Sequence, residues 1–563
     1  HDTATPTTMK GGDIIVDKAV GTENVMTLFT DSNGVPSGNQ DAVLNALAQK
    51  LTYKSHADGK LTGKLSINEG LTASSAHKDI TFKSNGKGSY VTPAVEYHAP
   101  ITAADATGGT YTLTQNERRD LTQAEAGSGF NGKNAALANY NGSTVADLTV
   151  DLAGHNLTLG MTAGNRNIAT VYADKGASPS NRSKLTITDA QGTGELVLSA
   201  EATASKQVNA IRAEQNAEID IQAPVKITSV KAPFNAQAIS AANNSSITMK
   251  KLTLLQVDGP NNSHAANKNV YGIGLNGKST TITVTEDADI TDVKGISLYS
   301  QGGADNHSKL SIGGGRIITP EEATNSKNYW AVYAVKGNVF LNEGKNRDLT
   351  VVGNMQAGET DTAVIDAAFT TPTSSWKGAI HRKDKSSIFP STTNLTLTNG
   401  ATWTHEVQSG ILKGDSSFTT SRLTKFTGGE AADKAGVVRQ GEKNIEIDNY
   451  GGHTRFIFDH DAATPTTIKG GTVTIKSAAD DSHVTFSTEP TGVTDGNVKT
   501  VLKALANKLT YTKYKDGERK LTGMAEVNEG LISSAAKWAG TITYDGTTGQ
   551  GTYDPNATPS QPS

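Results

Sequence analysis

Seven short strings in the middle of the chain decide the fold. They are Thr170-Val171-Tyr172-Ala173, Ala210-Ile211-Arg212-Ala213, Ala238-Ile239-Ser240-Ala241, Gly272-Ile273-Gly274-Leu275, Gly295-Ile296-Ser297-Leu298, Ala331-Val332-Tyr333-Ala334 and Ala379-Ile380-His381-Arg382. The second residue of each string is aliphatic and is called the anchor below. The interval between consecutive anchors varies, from the shortest at Ile273 to Ile296 to the longest at Val332 to Ile380. A short unit that recurs with variable insertions is typical of stacked repeats, in which each unit buries its apolar face against its neighbours.

Most anchors are followed, after a short polar turn, by a second alternating strand. These strands are Leu185-Thr186-Ile187, Ile219-Asp220-Ile221, Ile247-Thr248-Met249, Ile282-Thr283-Val284, Leu310-Ser311-Ile312 and Val339-Phe340-Leu341. Alternation with a period of two places the aliphatic residues on one face of a strand and the polar residues on the other. Polar stretches such as 243–246 lie where the chain must turn, because Asn tolerates left-handed backbone geometry. The pattern predicts an all-β fold, a parallel β-helix with variable loops at its turns.

A Greek-key sandwich is the alternative fold, since it also consists of short alternating strands. Sandwich strands are joined as hairpins, and few two-residue Asn-Gly or Asp-Gly loops connect paired strands in this sequence. The recurring unit is instead an anchor strand, a turn and a second strand, repeated in the same order along the chain; we call this unit a rung. This difference favours the β-helix.

The two ends of the chain are copies of one module. Residues 1–12 return as residues 460–471, residues 43–53 return as residues 501–511, and residues 68–71 return as residues 528–531, with offsets of 459, 458 and 460. We therefore divide the chain into a first module (1–90), a connector that leads into the rungs (91–140), β-helix rungs (141–459), a second module (460–553) and a linker tail (554–563). The duplication predicts a parent array of units of about 460 residues.

Each module contains one predicted helix, at residues 41–51 and 498–509. Asp41 is a good capping residue, and the apolar residues of each helix form one stripe. The stripes consist of Val43, Leu44, Leu47 and Leu51 in the first module and of Val498, Val501, Leu502, Leu505 and Leu509 in the second. Strand patterns resume on both sides. Each helix is therefore predicted to be an insertion packed against the flank of the rungs.

Composition excludes several classes of protein. The chain of 563 residues has no Cys, which removes disulfides, Cys-ligated metal sites and thiol nucleophiles. Its 52 Lys and Arg against 56 Asp and Glu argue against a nucleic-acid or membrane-surface partner. No run of residues is apolar enough to span a membrane as a helix. Hydrophobic residues are 35% and aromatic residues 6% of the chain, which suits a thin stacked core. Abundant, regularly placed β-branched residues argue against disorder, the competing explanation.

Motifs that could support chemistry are incomplete. The Gly414-Asp415-Ser416-Ser417 stretch lacks the Gly that a nucleophile elbow needs after its Ser, so a turn is predicted. His405-Glu406 has no second His four residues later, which excludes the zinc helix motif. Asp459-His460-Asp461 contains possible metal ligands but follows a strand, and a solvated turn is predicted.

The densest acidic group consists of Glu286, Asp287, Asp289 and Asp292. Carbohydrate-active enzymes need converging carboxylates, but residues at alternating strand positions are more often a solubilising face. The glycines at 313–315 lack the spaced Asp of calcium-binding repeats. We predict no catalytic, cofactor-binding or metal-binding residue and no enzyme activity. Ligand-binding residues are not identified, and the variable loops at 174–184, 259–269 and 301–309 are the candidates.

Several phrases in the chain are more specific than the strand pattern. They are Asn394-Leu-Thr-Leu-Thr-Asn-Gly-Ala-Thr-Trp403, Leu423-Thr-Lys-Phe-Thr-Gly-Gly429, Asn449-Tyr-Gly-Gly-His-Thr454, Thr464-Pro-Thr-Thr-Ile-Lys-Gly-Gly471, Leu505-Ala-Asn-Lys-Leu509, Lys520-Leu-Thr-Gly523 and Asn528-Glu-Gly-Leu531. Together they resemble the passenger region of large type V autotransporter surface proteins of anaerobic Gram-negative bacteria. The resemblance implies a right-handed β-helical stalk that is exported and held at the cell surface through an outer-membrane barrel. Passengers of this family include adhesins, proteases and esterases.

The sequence therefore predicts a surface-exposed passenger segment that acts in adhesion and as an extended stalk. Its expected partners are a host cell-surface protein or glycan, or a bacterial surface, together with neighbouring repeat units of the same chain. No nucleic acid, cofactor or membrane insertion of this segment is expected. Two alternatives stay open: a β-helical polysaccharide lyase or hydrolase, and a purely structural spacer.

Overall fold

A computed structural model gives the fold of the chain. It describes residues 1–68, 78–140, 146–204, 206–259, 270–302, 307–529, 536–554 and 556. The chain forms two compact units, His1–Val95 and Glu96–Ser563. A two-residue strand, Val95–Glu96, lies at the division between them. The first unit thus contains the predicted first module, and the second contains the rungs and the second module.

The first unit is built from two parallel strand pairs and a helix. Ile14–Val16 pairs with Leu51–Tyr53, and Asn24–Thr30 pairs with Leu61–Ile67. The remaining elements are the antiparallel strands Lys78–Asp79, Thr81–Phe82 and Gly88–Ser89, the α-helix Gln40–Ala48 and the 3₁₀ helices Ser37–Asn39 and His56–Asp58. The helix packs its apolar stripe into a core that includes Leu28, Leu44, Leu47 and Leu65.

The second unit consists mainly of three ladders of parallel strands. The first ladder contains Thr110–Thr112, Leu148–Asp151, Ser183–Thr188, Ala217–Ile221, Ser246–Met249, the N-terminal parts of Thr281–Thr291 and Lys309–Ile318, the C-terminal part of Trp330–Leu341, Ala363–Phe369, Thr392–Leu397, Thr420–Thr427, Asn444–Gly451, Val473–Ala478 and Leu509–Tyr511. Neighbouring members of the ladder are hydrogen-bonded in this order.

The second ladder follows the first along the chain. It contains Glu117–Thr122, Leu157–Ala163, Leu196–Ala202, Val225–Lys231, Leu252–Leu254 with Val257–Asp258, the C-terminal parts of Thr281–Thr291 and Lys309–Ile318, Leu349–Val352, Ser375–Gly378, Thr402–His405, Gly436–Arg439, His453–Ile457, Ser482–Thr488 and Leu521–Val527. Trp538–Tyr544 pairs antiparallel with Leu521–Val527, and Gly551–Thr552 pairs antiparallel with Trp538–Tyr544.

The third ladder carries the anchors. It contains Lys133–Asn134 with Leu137–Tyr140, Asn167–Asp174, Gln207–Glu214, Asn235–Ala242, Val270–Gly277, Ile296–Gly302, the N-terminal part of Trp330–Leu341, Met355–Ala357 and Ile380–Arg382. From residue 148 to residue 382 the chain visits the first, second and third ladders in turn. After residue 382 the described strands alternate between the first two ladders.

Helices in the second unit are few among the described residues. They are the α-helices Gln123–Ala126, Ile411–Gly414 and Val498–Ala506 and the 3₁₀ helices Ala103–Asp105, Ala432–Lys434 and Thr512–Asp516. Thr122 caps the first of these α-helices, because its side chain accepts a hydrogen bond from the backbone N–H of Glu125.

Parallel register stacks like residues into columns. One buried column of the first ladder runs through Leu148, Leu185, Ile219, Ile247, Ile282, Leu310, Val339 and Ile365. The anchor column of the third ladder runs through Val171, Ile211, Ile239, Ile273, Leu298, Val332, Met355 and Ile380. One modest side chain per strand thus lies in each buried column, and stacking supplies the burial that the low aromatic content could not.

The predicted all-β class is confirmed, and the details correct the sequence reading in two places. Ile296 was predicted to be an anchor, but it pairs with Tyr271 on the other face of the strand, and Leu298 occupies the anchor column. Met355 is an anchor that the search for Val and Ile overlooked. Strands at 110–112 and 117–122 lie within the segment 91–140, the predicted connector that leads into the rungs.

Both predicted helices are present but shorter than expected. The first ends at Ala48 and the second at Ala506, whereas Leu51 and Leu509 begin strands that pair in parallel. Apolar residues at both positions continue the helical stripe and also suit a buried strand, so the pattern could not place the helix ends. The predicted turn at 243–246 is confirmed at Asn243 and Asn244, whose φ angles are 55° and 61°.

Candidate functional site

A column of mostly polar and aromatic residues runs along the outward face of the third ladder. Each residue of this column follows an anchor by one position and therefore points away from the core. The column consists of Tyr172, Arg212, Ser240, Gly274, Tyr299, Tyr333, Gln356 and His381, aligned in register. The same period of two that builds the core thus aligns side chains with hydrogen-bonding groups along neighbouring rungs.

Small residues create a depression in the middle of this face. Ser240, Ala242 and Gly274 form its floor, between Arg212 on one side and Tyr299 on the other. The depression, called the polar groove below, has a volume of about 340 Å³. A Cβ atom at Gly274 would lie 3.0 Å from Cδ2 of Tyr271, so glycine leaves room for the tyrosine ring at this point.

Amide side chains line the polar groove. They belong to Gln207, Asn235, Gln237, Asn276 and Gln301. The Nε2 group of Gln237 donates a hydrogen bond to Oδ1 of Asn235 at 2.9 Å, and the hydroxyl of Tyr299 donates to Oε1 of Gln301 at 2.8 Å. Each amide carries both donors and an acceptor. The groove therefore offers alternating donors and acceptors over several adjacent rungs.

Tyr271 and Tyr299 line one wall of the groove, and Tyr333 continues their stack beyond it. The ring centroids of Tyr271 and Tyr299 lie 4.1 Å apart with an interplanar angle of 11°, and those of Tyr299 and Tyr333 lie 6.2 Å apart at 22°. Trp330 meets Tyr333 edge-on, and Phe418 belongs to the same apolar cluster. Burial raises the pKa of all three phenols, so they stay neutral hydrogen-bonding groups at physiological pH.

The Arg212 guanidinium forms the opposite wall of the groove. The Arg212 guanidinium donates to Oγ of Ser240 at 2.7 Å and is paired through Nε with Glu214. Lys133 Nζ lies 3.3 Å from Oε1 of the same Glu214. Burial opposes ionisation of Glu214, but Arg212 and Lys133 outweigh it and hold the pKa of that carboxyl below its usual value. The ion pair keeps the guanidinium, whose side chain is 14% exposed, in one orientation beside the groove.

A second carboxylate, Asp174, lies one rung from Glu214 in the same column. Its Oδ2 accepts hydrogen bonds from the Tyr172 hydroxyl at 2.5 Å and from Asn131 Nδ2 at 3.2 Å. Burial raises the pKa of Asp174, in contrast to the lowered pKa of Glu214. Both acids are buried and do not line the groove, and of the two Glu214 is the one paired with Arg212.

The acidic group singled out from the sequence is dispersed into ion pairs. Asp287 Oδ1 lies 2.9 Å from Arg347, Asp292 Oδ1 lies 2.8 Å from Lys294, and Glu286 and Asp289 lie within 4 Å of Lys251 and Arg316. Each carboxylate thus faces a cation on the same surface, and the four do not converge on one another. This arrangement agrees with the solubilising face that was predicted.

Two of the three motifs with incomplete chemistry hold turns in place. Asp415 Oδ1 accepts hydrogen bonds from the N–H and hydroxyl of Ser417, which closes a turn after the helix Ile411–Gly414. The Nε2 group of His460 donates to the Thr491 carbonyl at 2.6 Å, and its Nδ1 lies 2.7 Å from Thr488 Oγ1. These contacts fix loops and do not assemble a site for chemistry.

Two further clefts adjoin the start of the second module and share Arg439, Ile457 and Asp459. The larger, about 640 Å³, is also lined by His405 and Gln440. Among the described residues, Nδ1 of His405 and Oε1 of Gln440 have no hydrogen-bond partner. The walls of this cleft combine strand ends, at His405, Arg439 and Ile457, with irregular segments, and they carry charges of both signs. The polar groove is the better candidate because its groups repeat in register and so suit a chain-like ligand.

The loops predicted to bind are only partly described. The loop at 174–184 is ordered by hydrogen bonds between Ala177, Ser178 and Asn181. Residues 260–269, nearly all of the second candidate loop, and residues 303–306 of the third lie outside the described residues. The groove residues were missed from the sequence. Arg212, Ser240, Gly274 and Tyr299 each follow a residue of the anchor column by one position, but only the pairing register shows that they are neighbours.

Comparison with known proteins gives no family for this chain. No protein-family model matches it, and no curated protein matches it. Within the described residues, no group of three or more His, Asp or Glu side chains is arranged to hold a metal ion. None of the helices in the described part of the chain is long and apolar enough to cross a membrane.

Proposed function

We propose that this chain is a surface-exposed passenger segment of a type V autotransporter, with a right-handed parallel β-helix fold, and that it binds glycans through the polar groove. It would stand on the outer face of a Gram-negative bacterium, attached through the outer membrane, and contact host or bacterial surfaces. The groove on the third ladder is the observation that carries the binding function. The sequence phrases near residues 394–471 support the family and the location.

Strand order supports the β-helix. Between residues 148 and 382 the chain passes through three parallel ladders in a constant order. Short loops join strands of different ladders, and partners within a ladder are a full circuit apart: Ile211 pairs with Ile239, and Ile239 with Ile273. A chain that returns to the same ladder after each circuit is a coil. Its outward faces are then available for binding along their length.

Sugar chemistry fits the polar groove. Every sugar hydroxyl both donates and accepts hydrogen bonds, and the amides of Gln237 and Asn276 do the same. Tyr299, the most exposed of the stacked tyrosines, supplies apolar surface for the C–H face of a sugar ring. Arg212, already held by Glu214, offers remaining N–H groups to an acidic sugar carboxylate. A linear oligosaccharide lying across adjacent rungs would meet all three kinds of group.

Binding of the full chain to an array of neutral and acidic oligosaccharides tests the proposal. The double variant Gln237→Ala/Gln301→Ala removes two groove amides, and we expect its affinity for the bound glycan to fall at least about ten-fold, since each lost hydrogen bond contributes about 1 kcal/mol. The matched control is Gln222→Ala, which removes an exposed amide outside the groove and should bind like the unaltered chain. Equal affinity of both variants would contradict the groove assignment.

The enzyme alternative would need acids other than Asp174 and Glu214, because both are buried and do not line the groove. A hydrolase or lyase would release product from the glycan that it binds. An adhesin would bind saturably with no product. The spacer alternative predicts no binding to any glycan or cell-surface protein by this segment.

A further inference from the structure

The two modules have the same internal structure, although they lie in different units. In the first module Ile14 pairs with Leu51 and Asn24 pairs with Leu61. At the equivalent positions of the second module Val473 pairs with Leu509 and Ser482 pairs with Leu521. In each module the α-helix follows the first strand of both pairs and precedes their partner strands along the chain.

Side-chain contacts are duplicated as well. Lys50 Nζ donates to the Gly11 carbonyl at 2.7 Å, and Lys508 Nζ donates to the Gly470 carbonyl at 2.6 Å. The hydroxyl of Tyr53 donates to Asp58 and that of Tyr511 to Glu518. The rings of His1 and His460 make equivalent contacts with a threonine hydroxyl and a backbone carbonyl. The side-chain contacts of the first module are therefore reproduced in the second.

The modules differ at one edge. In the second module, Val473–Ala478 pairs with Asn444–Gly451 and Ser482–Thr488 pairs with His453–Ile457. In the first module, the equivalent strands Ile14–Val16 and Asn24–Thr30 have no pairing partner on that side among the described residues. We call this side of the two strands the open edge.

Apolar side chains next to the open edge are exposed. Ile14 is 44% exposed, whereas Val473, its equivalent, is 0% exposed beneath Ile445. Val25 is 68% exposed, and its equivalent His483 is stacked on His453 with ring centroids 4.3 Å apart. Exposed apolar residues on an unpaired strand edge are a ready template for pairing with another strand.

We propose that the open edge is a docking surface for a second copy of residues 429–459 of this chain, supplied by a preceding repeat unit. The docked strands would repeat the register of the second module, which places Ile445 opposite Ile14, Ile447 opposite Val16 and Phe456 opposite Leu28. Successive units would then be joined by continuous strand ladders. This inference goes beyond the proposed glycan binding, because it concerns how units join and needs no ligand.

Chain connection is compatible with this docking. In the second module His460 directly follows Asp459, and its ring is fixed by Thr488 and Thr491. His1 has the same contacts with Thr30 and Asn33. A preceding copy ending in Asp459 would therefore join His1 through the same turn, with no added linker.

The first test extends the full chain with a copy of residues 429–459 fused ahead of His1. We expect hydrogen exchange in strands Ile14–Val16 and Asn24–Thr30 to slow at least about ten-fold relative to the unextended chain, since edge amides gain partners. The control carries Ile447→Asp and Phe456→Asp within the added copy only, so the remaining 563 residues are unchanged. Absence of slowing, or equal slowing by the control, would overturn the proposal.

The second test measures register. The chain contains no cysteine, so a pair of introduced thiols reports one contact. Arg455 pairs with Thr485, the equivalent of Thr27. With Arg455→Cys in the added copy, we expect a disulfide with Thr27→Cys, because adjacent strands are about 4.8 Å apart. Val25→Cys lies two residues out of register, about 8 Å away, and should remain reduced. Equal yields from both pairs would overturn the proposed register.

Discussion

At the scale of single residues, His405 is a titratable side chain whose charge is determined by its burial. The imidazole is buried in the second ladder, and its Nε2 lies 2.8 Å from Ser421 Oγ. Burial lowers the pKa of His405 to about 3. The ring is therefore neutral in the folded chain over the whole physiological range.

This burial predicts a dependence of stability on pH. Below the ordinary His pKa of about 6.5, the unfolded chain binds a proton that the folded chain does not, so the free energy of unfolding falls as the pH is lowered from 6.5 toward 3. Between pH 6.5 and 4.5 the His405 contribution amounts to about 2 to 3 kcal/mol. Urea unfolding at both pH values should show that His405→Gln reduces this loss.

The control for His405 is His155→Gln, which replaces a half-buried histidine outside the cleft. This variant should retain the full pH dependence of the unaltered chain. A loss of the same size in His405→Gln and in the unaltered chain would mean that other groups account for the acid sensitivity.

The backbone geometry of turns is also determined at single residues. Asn243 and Asn244 adopt left-handed backbone angles, and the N–H of Asn244 donates to the Lys278 carbonyl at 3.0 Å. The sequence predicted this geometry because Asn tolerates it. Lys175 and Gln215 also adopt left-handed backbone angles. Neither residue type predicts this geometry, since it is set by the strands of the ladders on either side of the turn.

At the scale of elements, the inserted helices are held by packing. The helix Val498–Ala506 lies against Leu521–Val527 and Trp538–Tyr544, and its residues Val501, Leu502 and Leu505 are buried. A helix of nine residues is marginal alone in water. Its stability therefore comes from contact with the strands.

We expect Leu502→Ala to destabilise the second module by about 2 to 5 kcal/mol, because it leaves a cavity under the helix. Lys503→Ala, the adjacent exposed position, should change stability by less than about 0.5 kcal/mol. Hydrogen exchange of the helix and of Leu521–Val527 measures both variants. Similar exchange in the two variants would show that the helix does not depend on this contact.

Much of the element pattern was readable from the sequence. Strands that alternate polar and apolar residues, such as 185–187 and 219–221, were predicted and are present in the first ladder. Such a strand can bury its apolar side chains on only one of its two faces. The polar groove was not readable, since Arg212 and Ser240 are far apart in the chain and become neighbours only through pairing. Ile296 shows the same limit: two aliphatic residues, at 296 and 298, compete for the anchor column, and pairing alone decides between them.

At the scale of the whole molecule, the repeating circuit predicts which deletions the chain tolerates. Ile211 pairs with Ile239, and Glu218 pairs with Ser246, at the same separation along the chain. This separation is one complete circuit, and the segment 217–244 has the same length. When that segment is removed, residue 245 follows residue 216, and each remaining strand meets a partner from its own ladder.

We expect the chain without residues 217–244 to fold, with the strand signal per residue in circular dichroism unchanged and with a monomeric elution volume. Removing only residues 217–230 deletes half a circuit and brings one third-ladder strand directly after another. That shorter deletion should misfold or aggregate. If both deletions are tolerated, or if neither is, the coil proposed for this region is wrong.

Ladder partners in the anchor column lie close together in the chain, although the chain is long. Val171 pairs with Ile211 and Val332 pairs with Met355, so each anchor meets the anchor of the next circuit. Loop-closure entropy depends on this short separation and not on the total length of 563 residues. Each completed strand is therefore a template for the next, and folding can advance along the chain from a single nucleus at a nearly constant entropic cost per strand.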